Sequence, residues 1–297
     1  MIVSLYRKYL SPPFREKIYY SFLGAMLHSF RNFKLYLFGL RVYVFSPFFP
    51  KNDYYNAWRY IGRHGVTHYP FKTAVNYGKM SVEVFFDDEK NMPFVLHQNK
   101  QLYFPASLPE AKIKAKYRNL LIEKDINSSH RYLDTFDELK GKILLDIGAA
   151  EGIFALDAIE TINKAYLFEC DEMWLQALIA TFAPWKEKVE IVKKYVGDSN
   201  SADCVTIDTF MTEKEHDNIH IKMDIEGEEL AALNSAKNLL LKGKFISLSV
   251  CTYHRAEDVT EISAFLKSLG YACQFTKGYL CYFPFMRKAV CRAKNYS

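Results

Sequence analysis

With 297 residues, 49% of them hydrophobic, the chain can bury a full core, and it suits one large domain with an appendage or two modest domains. Disorder is thereby excluded. Its six cysteines (Cys170, Cys204, Cys251, Cys273, Cys281 and Cys291) include no C-x-x-C pair and no paired spacing with histidine, so neither a zinc site nor a disulfide framework is expected, and a reduced, cytosolic setting fits best.

The opening stretch, MIVSLYRKYLSPPFREKIYYSF, lacks the apolar run and small-residue cleavage site of a signal peptide, and Arg and Lys interrupt every stretch that could span a bilayer. Residues 1–45 nevertheless hold seven bases (Arg7, Lys8, Arg15, Lys17, Arg31, Lys34, Arg41) against the single acid Glu16, within a chain whose formal charge is +5. Tyr, Phe and Leu interleave with those bases. Peripheral contact with an anionic membrane surface, at the cytoplasmic face, is one reading of that pattern. The commoner outcome for such a pattern is a solvated basic face over an aromatic core.

Residues 82–104 give three β-rich runs separated by DDEKN and QNK, the signature of an antiparallel meander. Ser107 and Glu110 then form an S-x-x-E capping box that predicts a helix through about Leu121. The pattern places a boundary near residue 125, between a basic and aromatic N-terminal region (1–125) and a second domain (126–297).

From Lys140 short apolar strands alternate with longer helical stretches. Strands are predicted near 143–146, 165–169, 189–193, 219–224 and 245–250, with a closing pair near 271–275 and 279–283; helices fill 152–163, 172–182, 228–240 and 257–268. This alternation requires an α/β fold, a Rossmann-like, mostly parallel seven-stranded sheet with an antiparallel edge hairpin. Ligands of open parallel sheets bind beyond the carboxyl ends of the strands.

At those ends, KILLDIGAAEGIF places Asp146 at the tip of the first strand, Gly148 in the turn and Gly152 at the helix start, where glycines would let a ligand approach the backbone. Glu169, at the end of AYLFEC, is placed to accept hydrogen bonds from a ribose. The turn Gly148-Ala149-Ala150-Glu151-Gly152 lacks the second glycine of a dinucleotide fingerprint, and Glu151 would repel phosphate. S-adenosylmethionine, a sulfonium with an ammonium group and no phosphate, suits an acid-lined turn. The structural alternative for Glu151 is a helix-start carboxylate stabilised by the helix dipole.

LLDIGAAEGIF, VTIDTF (205–210), IKMDIEGEE (221–229) and CTYHRAED (251–258) resemble, in order and spacing, the FkbM family of S-adenosylmethionine-dependent methyltransferases, over roughly residues 128–283. The resemblance implies a class I methyltransferase sheet and methyl transfer to an oxygen, of surface-glycan sugars or of secondary-metabolite hydroxyls; a sugar in a glycan or a lipid-linked saccharide is the acceptor expected here. The family's turn more usually reads G-A-N-x-G, where Ala150 and Glu151 stand here.

The stretch IKMDIEGEE sets four carboxylates in nine positions. In the predicted strand His220, Lys222 and Asp224 share one face, with Lys222 expected as a buried partner of Asp224. Glu228 and Glu229 fall in the first turn of the next helix, where the dipole accounts for them. Asp224 and Glu226 have no such account. An alcohol must lose its proton to accept a methyl group, and Asp224, Glu226 or His254 is placed to take it. The structural alternative ties His254 to a carboxylate such as Asp258. Tyr253 and Arg255 beside it are candidate acceptor contacts; His130 and Arg131 in SSHRYL are candidates to orient the acceptor or the cofactor carboxylate, with helix capping as the structural alternative, and Asp198 in YVGDSN is a candidate for the adenine amino group. Asp224, Glu226 and Asp208 could instead hold Mg²⁺, although a cap is the simpler role for Asp208 and no metal is predicted. No nucleic-acid-binding module is recognisable, and the N-P-P-Y type of tetrapeptide is absent. A second class of function is an inactive methyltransferase-fold module that binds a membrane surface or a partner.

Overall fold

The computed structural model describes residues 22–295, with side-chain surroundings from residue 32 onward. Arg7, Lys8, Arg15, Glu16 and Lys17 of the basic segment lie outside the described residues, as does the side chain of Arg31. The chain forms two compact units, one reaching to Phe71 and including Cys281–Met286, the other formed by Lys72–Leu280 and the residues from Arg287 onward.

In the first unit the helices Phe22–Val44 and Asp53–His64 pack together. Their backbones meet at two glycines: a Cβ on Gly62 would lie 2.2 Å from the Gly39 carbonyl oxygen. Leu35, Val42, Trp58, Ile61 and Cys281 form the core. The side chain of Asn52 caps the second helix by accepting from Tyr55 N at 3.0 Å.

The second unit opens with the expected meander, β1 (Phe85–Asp87), β2 (Met92–His97) and β3 (Lys100–Tyr103), followed by the helix Glu110–Lys124. The boundary suggested near residue 125 is not where the units divide. Val95, Leu102, Phe104, Ile113 and Leu120 bury themselves in one core with Leu144, Phe154 and Trp174, so meander and helix belong to the sheet domain. Nor does Ser107 cap the helix: Pro109 is the cap residue and makes no side-chain cap bond. The same S/T-x-x-E chemistry is realised instead at Thr135 and Glu138, where both reciprocal bonds form.

Five parallel strands follow: β4 (Ile143–Ile147), β5 (Lys164–Phe168), β6 (Val189–Val192), then, past the small β7 (Tyr195–Val196) and β8 (Cys204–Val205) pair, β9 (Ile219–Met223) and β10 (Ser247–Cys251). After β11 (Ala272–Phe275), β12 (Leu280–Tyr282) and β13 (Phe285–Arg287) form a ribbon apart from the main sheet, and β14 (Val290–Lys294) completes the order β11-β14-β10-β9-β4-β5-β6. β14 runs antiparallel to both neighbours. This is a mixed, mostly parallel, Rossmann-like sheet. The second arm of the edge hairpin is therefore 290–294, not 279–283.

The helices Ile153–Ala158, Glu172–Phe182 and Asp258–Ser268 cover the sheet where the sequence places them, although the first is shorter than predicted. The span 228–240 divides into Glu229–Asn234 and Lys237–Lys242, broken where Ser235 Oγ bonds back to the Ala232 carbonyl and accepts from Ile207 N. Alternation along the strands sorts the faces. Ile143, Leu145, Ile147, Ile219, Ile221 and Met223 enter one core, whereas Leu144, Asp146, His220 and Lys222 face the other way.

Candidate active site

Parallel pairing of β4 with β9 sets Asp146 directly beside Lys222. Both are buried, and Lys222 Nζ lies 3.0 Å from Asp146 Oδ1 while donating to the Gly148 carbonyl at 2.6 Å. Burial pulls the Lys222 pKa down, but the charges of Asp146 and Asp224 outweigh it and hold the ammonium above its ordinary range. The partner of Lys222 is thus Asp146 rather than Asp224.

Gly148 brings two strand ends together. It has φ +79°, and a Cβ there would stand 2.1 Å from the Asp224 carbonyl oxygen. Gly152 also has φ +79°, with Leu178 and Phe182 side-chain atoms 2.7 Å from its would-be Cβ. At both glycines protein is packed where a Cβ would stand. Glu169 Oε1 accepts from Cys170 N (2.8 Å) and Asp171 N (2.7 Å), and Oε2 from Ala150 N at 2.8 Å, so the end of β5 clasps the turn after β4. Glu151 is buried with Lys116 Nζ 3.1 Å away. Asp198 is exposed in the loop after β7.

Asp224, the residue after β9, gathers the largest cluster. Tyr132 donates to its Oδ2 at 2.9 Å and Tyr253 to its Oδ1 at 3.1 Å. His130 Nε2 lies 3.7 Å from Oδ2 and His254 Nε2 3.4 Å from Oδ1. Burial would raise the Asp224 carboxyl, but the charges of His130, Lys222 and His254 and the Tyr132 hydroxyl hold it down at about 2. His130 and Tyr132 reach the cluster because the extended segment around them is fastened to the sheet: Ser249 Oγ donates to the Tyr132 carbonyl, and Arg292 to that of Arg131. Arg131, one residue out of phase, turns its guanidinium to the Asp134 carbonyl instead.

His254 is buried, and its Nδ1 lies 2.8 Å from Oε1 of Glu229, itself fully buried. That oxygen also accepts from Ile225 N at 2.9 Å. The partner of His254 is thus Glu229, not Asp258, whose Oδ2 accepts from Arg255 N. Glu229 stands in the first turn of its helix as expected, but it also binds His254 and Ile225 N, whereas Glu228 is exposed and paired with Arg255. Glu226, exposed, reaches within 3.7 Å of His254 Nε2. Asp208 caps the helix Lys237–Lys242 by accepting from Asn238 N and Leu239 N, in line with its simpler role and apart from Asp224 and Glu226. Among the described residues, two groups of side chains offer atoms close enough to share an ion, His130 with Asp224 and Cys251, and Asp224 with Glu229 and His254.

The sequence alone missed Tyr132, Cys251 and Glu229. Tyr132 carried a signal: it stands two residues from His130 in an extended segment, so both point to one side.

Residues 146–273 match the family model for the methyltransferase FkbM domain. This part of the chain is an FkbM methyltransferase domain. S-adenosylmethionine is the cofactor that goes with such a domain, and the donor set agrees. Carboxylates stand at three strand ends, and Lys222 and Lys116 beside them are each in contact with one, an arrangement suited to a cationic ligand and adverse to a pyrophosphate. No curated protein matches the sequence. Among solved structures, the methyltransferase FkbM of Methylobacillus flagellatus KT is similar at 19% identity and a TM-score of 0.42, over 63% of this chain and 55% of that one. The FkbM methyltransferase domain is also similar to a precorrin-6y C5,15-methyltransferase of Geobacter metallireducens (13% identity, TM-score 0.36, 55% of this chain and 85% of that one). A ribosomal protein L11 methylase of Lactobacillus delbrueckii subsp. bulgaricus is similar at 11% identity and a TM-score of 0.37, over 56% of this chain and 78% of that one.

Proposed function

We propose that the chain is an S-adenosylmethionine-dependent O-methyltransferase acting on a hydroxyl of a carbohydrate acceptor, in a glycan or a lipid-linked saccharide. The observation that carries this reading is the meeting of three strand ends: Gly148 packs on the Asp224 backbone while Glu169 holds Ala150. In this reading Glu169 faces the ribose, Asp146, Glu151 and Asp224 supply negative potential for the cationic end, and Asp198 lies toward the adenine. When bound, the cofactor supplies a methyl group on a good leaving group. The chain's own task is to align the acceptor and take its proton. Tyr253 and His130, beside Asp224, are the acceptor contacts. Calorimetry with S-adenosylhomocysteine, followed by transfer of labelled methyl to glycan and lipid-linked saccharide fractions, tests the reading. Binding of NAD in place of S-adenosylhomocysteine overturns it, and cofactor binding without transfer to any fraction favours the inactive module.

We also infer a peripheral place at the cytoplasmic face of an anionic membrane for the first unit. Supporting it, Phe33, Leu37, Val44, Phe45 and Phe48 are exposed on the helix Phe22–Val44 and the turn after it, alongside Arg41. No helix among the described residues is long and apolar enough to cross a membrane. Flotation with phosphatidylserine vesicles checks the inference, and a protein that stays at the bottom of the gradient refutes it.

A further inference from the structure

Three groups were candidates for the base, and their surroundings separate them. Asp224 is held at about 2 and accepts from two tyrosine hydroxyls, so it binds a proton weakly near neutral pH. Glu226 has its side chain 85% exposed, in contact with solvent rather than held in the cluster. An imidazole is intrinsically a stronger base than a carboxylate. His254 lies in the same cluster, its Nε2 3.4 Å from Asp224 and 3.7 Å from Glu226.

The tautomer of His254 follows from its other nitrogen. An ionised carboxylate only accepts hydrogen bonds, so Nδ1, 2.8 Å from Glu229 Oε1, carries the hydrogen and Nε2 keeps the lone pair. Glu229 cannot easily turn away. Its side chain is fully buried, and the same oxygen is fixed by Ile225 N at 2.9 Å. A carboxylate that orients an imidazole in this way also stabilises the imidazolium formed when the ring takes a proton.

We propose that Glu229 is a positioning residue that presents His254 Nε2 to the strand-end cluster, and that His254 is the catalytic base for the acceptor hydroxyl. The second half rests on the methyltransferase reading above. Glu226 is a displaceable cover, since an exposed side chain changes rotamer in picoseconds to nanoseconds. A hydroxyl that takes its place beside Asp224 lies within hydrogen-bond reach of Nε2. The acceptor oxygen gives its proton to Nε2 and forms the new O–C bond. The C–S bond breaks with its electron pair kept by sulfur, which becomes a neutral thioether, and the imidazolium then releases the proton to water.

Charged and titratable groups face His254 from each element around it: Glu229 from its helix, Asp224 and Glu226 from the loop after β9, Asp258 from the start of the last helix, and Tyr253, whose ring centroid is 4.1 Å away. Burial opposes protonation of His254, yet the Glu229 bond and the charges of Asp224, Glu229 and Glu226 prevail and raise its pKa.

The test uses the full chain with ¹⁵N-labelled histidine, saturated with S-adenosylhomocysteine, and His254→Gln to assign the signal. The wild type is expected to show the Nδ1–H tautomer and a midpoint above the ordinary value of about 6.5. Glu229→Gln, which can still accept from both donors, should keep the tautomer and lower the midpoint by about one unit or more, with S-adenosylhomocysteine affinity within about twofold. With the acceptor found by the labelling experiment, the rate should rise with pH up to the measured midpoint, and that limb should move with the Glu229→Gln midpoint. His254→Gln should lose about 10² to 10⁴ in rate. An Nε2–H tautomer, or a midpoint indifferent to Glu229→Gln, overturns the positioning role; should Glu229→Gln fail to fold, Glu229→Asp serves for the same comparison. A rate limb that stays in place while the midpoint moves overturns the catalytic role and leaves the methyltransferase reading standing. A wild type that methylates nothing sinks that reading, and the base assignment with it.

Discussion

Asp146 and Lys222 face each other across β4 and β9 at 3.0 Å, with side chains 0% and 6% exposed. A buried pair is stabilising mainly in the sense that neither member tolerates loss of the other. Lys222→Met should therefore destabilise the domain by about 3–5 kcal/mol, because the Asp146 carboxylate is left buried without its charge partner. The double change Asp146→Leu with Lys222→Met should recover most of that loss. Urea unfolding measures both, and equal stability of the single variant and the wild type would refute the pairing.

Gly148 and Gly152 share a left-handed backbone but not a neighbourhood. Gly148→Ala drives a methyl into the Asp224 carbonyl, which is backbone and cannot yield without parting two strand ends. Gly152→Ala meets the ends of Leu178 and Phe182, which can shift. Backbone strain of about 1–3 kcal/mol applies to both, so only Gly148→Ala should in addition abolish S-adenosylhomocysteine binding in calorimetry.

Glu169 gathers three backbone donors, from Ala150, Cys170 and Asp171. Glu169→Ala releases the turn after β4. With about 1.5–3 kcal/mol at stake for a hydrogen bond to a charged group, S-adenosylhomocysteine affinity should fall by about 10- to 100-fold. The exposed Asp198, changed to Ala, should cost less in the same titration.

Asp157 joins His97 at 2.8 Å and also contacts Lys124, which ties β2 and the helix Glu110–Lys124 to the helix Ile153–Ala158. Burial would raise the Asp157 pKa, but His97 and Lys124 outweigh it and lower it. A depressed carboxyl contributes stability that is present above its unfolded value of about 3.9 and is lost as pH falls through the folded value. Asp157→Asn should therefore destabilise the protein at pH 7 and flatten the acid limb of thermal stability below about pH 4. An unchanged acid limb would count against the linkage.

Strand alternation identified the faces of β9 correctly from IHIKM, because period-two patterning is a property of the extended backbone itself. The same logic failed at the sheet edge. LCYF and AVCRAK are both apolar enough to be strands, and only the long-range pairing of β14 between β10 and β11 distinguishes them. Lys222 was legible as a buried base but not as the partner of Asp146, since partner choice depends on the register between β4 and β9.

What the chain determined by itself was the order of the five parallel strands and the presence of acid at their ends, since local propensity and spacing encode both. What the tertiary structure decided was which groups meet: Tyr132 with Asp224 across 92 positions, and His254 with Glu229 across 25. Such contacts depend on crossover packing and on how a loop is fastened to the sheet, and neither leaves a trace in the spacing of residues along one strand.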